Sequence, residues 1–183
     1  MFAALSNLIP NPLHPAVVHL PIALTVLVPV FAAAALIAIR RGARPLRAWG
    51  ITTALLATLS LSAWVSLETG EGQEERVERV VPERAIDTHA EAAESFLVLS
   101  LLVLGVAGVG LLKGKVGTAG RLVAAAGTLA LIVSGYTVGH SGGSLVYEHG
   151  AASAYVDGPA TSIAGERGER DQRPNDRLDD DDR

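Results

Sequence analysis

Four long apolar segments limit what this chain can fold into. They lie at about 16–39, 49–67, 92–112 and 120–140, and at 1.5 Å per residue each is long enough to cross a hydrocarbon layer of about 30 Å as a helix. Lipid offers the backbone no hydrogen-bonding partner, so only helices and closed barrels span a membrane. The segments therefore predict an all-α fold, an integral membrane four-helix bundle with a disordered C-terminal tail.

The rest of the chain divides around these spans. Residues 1–13 form a short N-terminal segment, residues 14–156 the membrane domain, and residues 157–183 a tail rich in Gly, Pro, Arg and Asp. Such a composition cannot bury a core and predicts disorder. The first span has no Lys or Arg before it, unlike a signal peptide. The absence of cysteine excludes disulfides, thiolate metal sites and cysteine catalysis.

Details of the spans give further expectations. A loop at 68–87 contains a short surface helix within QEERVERVV, and the third span starts either with a capping box from Thr88 to Glu91 or earlier, at Pro82. We expect GHSGGS at 139–144 to break the fourth span. Trp49 and Trp64 near opposite ends of the second span are typical of an aromatic belt. A small-residue stripe on this span favours close helix packing: Ala54, Thr58, Ser62 and Ser66.

Charge predicts the orientation of the bundle. The loops after spans one and three carry seven basic residues, Arg121 among them, and no acid. The other side holds all ten acids of residues 1–156 and only three arginines. Because cytoplasmic loops carry the excess of Lys and Arg, we expect a multi-pass protein of the cell membrane with both termini extracytoplasmic.

All five histidines then fall on the extracytoplasmic side. Histidine is the commonest metal-ligating side chain, and ionisable groups in membrane proteins usually mark a function. His14 and His19 would point about 140° apart on a regular helix, so they are not expected to hold one ion together. The candidate cofactor-binding residues are His19, His89, His140, His14 and His149; the metal candidates are His19, His89 and His140; Glu68 and Glu91 are candidates for orienting a ligand histidine.

Several strings resemble a known family. HPAVVHLPIAL at 14–24, Thr69–Gly70, a histidine with acids opening span three, and GHSGGSLVYEHG at 139–150 are similar to the predicted membrane proteins of domain of unknown function 2231. The resemblance covers about residues 10–155, and the five histidines fall on family motif positions. It implies a four-helix membrane domain. Some relatives are joined to Rieske-type or cytochrome c-type modules, which implies redox work.

Three functions stay open. The first is haem b binding or service in a membrane redox chain, with two axial ligands from His19, His89 and His140. The second is a non-haem transition metal site with imidazole and carboxylate ligands. The third is a structural or sensory subunit whose histidines are structural. We expect no stand-alone enzyme. The expected partners are the lipid bilayer and a redox partner protein at the outer face, with no nucleic acid; homo-oligomerisation stays open.

Overall fold

The computed structural model describes residues 12–156, and its long helices correspond to the four predicted spans. The predicted disordered tail lies outside the described residues. Each long helix is apolar and long enough to cross a membrane, which confirms the all-α membrane bundle. The helices are α1 (His14–Val17), α2 (His19–Arg40), α3 (Pro45–Glu71), α4 (Glu74–Val77), α5 (Glu83–Val109) and α6 (Gly114–Tyr147), and a short 3-10 helix follows at Ala151–Tyr155.

The structure decides one helix boundary that the sequence left open and corrects another. Helix α5 begins at Glu83 after Pro82, so the earlier start is the right one, and Thr88 lies inside the helix with its hydroxyl donating to the Arg84 carbonyl at 2.8 Å. The expected break at 139–144 is wrong, because α6 continues through these residues to Tyr147. Glycine serves here for close packing rather than for a turn: Gly142 has a helical backbone and lies against the His89 ring.

The outer surface of the bundle is more apolar than a soluble protein would allow. Val30, Leu102 and Val133 are 61%, 63% and 69% exposed, whereas Thr52, Ser100 and Thr128 are fully buried. Small polar residues between helices and aliphatic residues outside are the arrangement expected in lipid.

The predicted small-residue stripe is buried only at its C-terminal half. Ser62 and Ser66 are buried, whereas Ala54 and Thr58 are exposed. Residues four apart advance about 40° around a helix at each step, so a stripe of four such residues turns by about 120° and leaves any single interface. The close contact that the stripe predicts is therefore confined to the end of α3 that carries Ser62 and Ser66.

The end of the bundle that carries the basic loops, called the basic end, corrects two further expectations. Trp49 is fully buried rather than in an aromatic belt, and its Nε1–H donates to the Ala107 carbonyl at 3.0 Å. Arg121 belongs to α6 rather than to a loop and is 5% exposed. Its guanidinium donates to the Gly110 carbonyl at 2.6 Å. Both side chains therefore satisfy carbonyls at the end of α5, where helical partners run out.

The four long helices form two hairpins related by a 75-residue repeat. Helices α2 and α3 pack together, as do α5 and α6, and the hairpins meet through α3 with α5 and α2 with α6. Exchanging the hairpins maps one of these two contacts onto the other, which is the pattern of an approximate two-fold axis along the bundle. Buried residues recur 75 positions apart, as in the pairs Thr25 and Ser100, Val28 and Val103, Ala32 and Ala107, and Leu56 and Leu131.

Candidate functional site

Two histidines face each other at the end opposite to the basic loops, called the histidine end. His14 opens α1 and His89 lies near the start of α5, so they come from opposite corners of the bundle. Their ring centroids are 6.4 Å apart and the ring planes are nearly perpendicular, at 82°. Ser141 contacts His89 and therefore marks the level of the pair along α6. The helix rises about 30 Å from Arg121 to Ser141, so the pair lies about one hydrocarbon thickness from the basic end.

His14 is held by the last turns of α3. Its Nδ1 lies 2.8 Å from the Ser66 carbonyl oxygen and 3.4 Å from the Thr69 hydroxyl. The ring also lies flush against Gly70, where a Cβ atom would come within 3.2 Å of His14 Cε1. A carbonyl can only accept a hydrogen bond, so Nδ1 carries the proton and donates.

His89 is held in a similar way by α6. Its Nδ1 lies 3.0 Å from the Ser141 hydroxyl, and that hydroxyl donates its own proton to the Val138 carbonyl at 3.0 Å. With the hydroxyl proton on the Val138 carbonyl, the hydroxyl oxygen accepts from Nδ1–H of His89. A Cβ atom on Gly142 would lie 3.0 Å from His89 Cε1, so this ring too is seated on a glycine.

The two Nδ1 bonds define the chemistry of the pair. A neutral imidazole with its proton on Nδ1 presents a lone pair at Nε2. Neither Nε2 atom makes a hydrogen bond within residues 12–156. Metal-ligating histidines almost always donate their other ring N–H in this manner, which orients the ring and raises its basicity. Each ring therefore keeps an imidazole lone pair at Nε2 that is available to a ligand.

The other predicted histidines are not brought into this pair. His19 is exposed, with Nδ1 3.3 Å from the Ala16 carbonyl, and His140 is exposed and stacked on Tyr136 at 5.9 Å. His149 follows the end of α6. His19 faces outward because it lies about 140° around the helix from His14, and His140 because its neighbour Ser141 faces the bundle centre.

The predicted ligand group and its orienting carboxylates are placed differently. The part of the chain that the structure describes contains no cluster of three or more His, Asp or Glu able to hold a metal ion, so His19, His89 and His140 are not assembled. Glu68 and Glu91 are exposed and make no hydrogen bond to any histidine of that part. Serines take the orienting position instead: Ser66 and Ser141.

Sequence inspection missed these serines, although a signal was present. His14 and Ser66 are separated by 52 positions, and so are His89 and Ser141. A search for the 75-residue repeat would have aligned the two histidines with each other and the two serines with each other. It would have paired His14 with His89 from the sequence alone.

These features define a polytopic membrane four-helix bundle with a paired imidazole site at one end. The family model described as predicted membrane protein, DUF2231, matches residues 10–154, and the chain belongs to this family. Comparison with curated proteins and with solved structures gave no match.

Proposed function

We propose that this protein holds a redox-active haem iron between Nε2 of His14 and Nε2 of His89 and serves electron transfer at the outer face of the membrane. The observation that carries the proposal is the facing pair of imidazoles, each of which has its Nδ1 within hydrogen-bonding distance of an oxygen atom. A low-spin haem needs two axial imidazoles from facing helices, and this is the number that the pair supplies.

The ring separation would allow His14 and His89 to hold one iron together. With a metal–nitrogen bond of about 2.0 Å and a ring centroid about 1.1 Å behind the nitrogen, two imidazoles on one ion have centroids at most about 6.2 Å apart. The separation of 6.4 Å is close to this limit. A tetrahedral zinc site would also need at least one further protein ligand.

The test is an absorption spectrum of the detergent-purified protein, oxidised and then reduced, after expression with added haem. We expect a low-spin bis-imidazole spectrum that is lost in both His14→Ala and His89→Ala. His140→Ala is the matched control and should keep the spectrum, because His140 is exposed and outside the pair. A folded protein that stays colourless but carries stoichiometric metal would reassign the pair to a bare ion. Unchanged spectra in both variants would refute the pair as the site.

The outward orientation of the histidine end is part of the proposal. Residues 12–156 contain ten acidic residues, and all ten lie towards the histidine end. Nine of these ten side chains are exposed, which supports an outward orientation of that end. The natural absence of cysteine makes the test direct. Glu75→Cys in the outer loop should react with a membrane-impermeant maleimide in intact cells, whereas Ala43→Cys at the basic end should react only after lysis. The reverse pattern would overturn the orientation without affecting the imidazole pair.

A further inference from the structure

We infer that Ser141 is a positioning residue that sets the tautomer of His89 and would make His89 the weaker and more readily displaced of the two histidines that hold the proposed haem iron. The inference rests on the proposed function for its second half only. The first half concerns the protonation of one imidazole and can be measured without any metal.

Ser141 belongs to a pairing of histidine with serine that occurs once in each hairpin. In each hairpin, a histidine near the start donates its Nδ1 proton to a serine near the end, over the same separation of 52 residues. His14 meets the backbone carbonyl of Ser66, whereas His89 meets the side-chain hydroxyl of Ser141. The two half-sites are therefore equivalent in position and different in chemistry.

This difference makes the two rings unequal in how firmly they are held. His14 donates to a carbonyl at 2.8 Å, with the Thr69 hydroxyl at 3.4 Å beside it. His89 lies 3.0 Å from a hydroxyl, which is itself oriented by the Val138 carbonyl. A carbonyl is the stronger acceptor, and a stronger acceptor at Nδ1 makes Nε2 the better metal ligand. The His14 bond to a metal is therefore the stronger one.

The hydroxyl also decides where the His89 proton resides. A neutral imidazole places its single proton on Nδ1 or on Nε2, and the hydrogen bond at one nitrogen selects the form. Without the Ser141 hydroxyl, the Nδ1–H form of His89 loses its nearest acceptor. A proton on Nε2 would then occupy the position that the proposed iron needs.

The first measurement is the tautomer of His89, read from the nitrogen chemical shifts of protein labelled with nitrogen-15 histidine. Signals are assigned by comparison with His89→Gln. In the metal-free protein near pH 8, we expect the Nδ1–H form in wild type, a shift towards the Nε2–H form in Ser141→Ala, and recovery in Ser141→Thr, which keeps a hydroxyl. Ser144→Ala is the matched control on the same helix, since its hydroxyl bonds to Glu148 rather than to a ring.

The second measurement uses the haem-loaded protein. We expect Ser141→Ala to weaken haem binding about 10- to 100-fold, as loss of a ligand-orienting partner does. Added cyanide should displace His89 before His14, so Ser141→Ala should raise cyanide affinity while Ser144→Ala leaves it unchanged. An unchanged His89 tautomer in Ser141→Ala overturns the inference whether or not haem binds. The expected tautomer change in a protein that binds no haem upholds the positioning role and refutes the proposed function.

Discussion

The burial of Trp49 leads to a quantitative prediction with a built-in control. Trp49 is fully buried and its Nε1–H donates to the Ala107 carbonyl. In a continuous helix this carbonyl would accept from the Leu111 N–H, but near the end of α5 the Leu111 N–H donates to the Gly108 carbonyl instead. Trp49→Phe removes this donor and leaves a buried carbonyl unpaired, which costs about 1–3 kcal/mol. It also removes about 40 Å³ of side chain, which at about 24 cal/mol per Å³ adds about 1 kcal/mol.

We therefore expect Trp49→Phe to lower the free energy of unfolding by about 2–4 kcal/mol. The measurement is equilibrium unfolding in mixed micelles followed by far-ultraviolet ellipticity. Trp64→Phe makes the same chemical change at a side chain that is 49% exposed and should stay within about 0.5 kcal/mol of wild type. Brominated lipid should quench Trp64 in the Trp49→Phe protein and leave Trp49 emission largely unaffected in the Trp64→Phe protein. Equal losses of stability, or equal quenching, would refute the burial argument and restore the aromatic belt for both residues.

Two further predictions concern the histidine end. Alanine in place of a helical glycine stabilises the fold by about 0.5–1 kcal/mol where space allows. Gly143→Ala, with no atom within 4 Å of the new methyl, should therefore stabilise the fold, whereas Gly142→Ala, 3.0 Å from His89, should stabilise it less. Equal gains in the free energy of unfolding for the two variants would contradict the packing argument. Burial raises the pKa of Tyr155 and the Arg76 guanidinium, 5.4 Å from its ring, partly lowers it, so Arg76→Gln should raise that pKa further in a spectrophotometric titration. Because folding raises this pKa, the stability that Tyr155 contributes is present below about pH 10 and is lost as pH rises through the pKa of the folded protein. A lower Tyr155 pKa in Arg76→Gln would contradict the contact between the guanidinium and the ring.

The spans could be predicted from the sequence because runs of apolar residues report directly on lipid. The helix ends were harder to predict, since polar turns stay helical once they leave the hydrocarbon: the sequence left two starts open for α5 and gave the wrong end for α6. Helix α5 begins at Glu83 and α6 runs to Tyr147, both beyond the apolar runs. Composition alone is also ambiguous for tryptophan: the indole of Trp49 suits an interface, and only the neighbouring Ala107 carbonyl explains its place in the core.

The histidine pair could be predicted from the sequence only in part. The separation of five residues between His14 and His19 predicts that the two rings point apart, but it could not say which of them faces the centre. That choice depends on the packing of α1 against the end of α3, where Ser66 and Gly70 receive the ring. Such a contact spans more than fifty residues and leaves no trace in local periodicity, although the equal spacings in the two halves preserve it.

The duplication described for the fold also makes the bundle separable into parts. Each hairpin begins and ends at the histidine end, and the link between them runs only from α3 to α5 through the loop that contains α4. Two polypeptides divided within that loop would enter the membrane in the same direction, one carrying His14 with Ser66 and the other His89 with Ser141. Each fragment keeps its own ring and acceptor, but the ring pair forms only when the fragments associate. Fragment complementation would thus turn the site into a reporter of helix association in the bilayer.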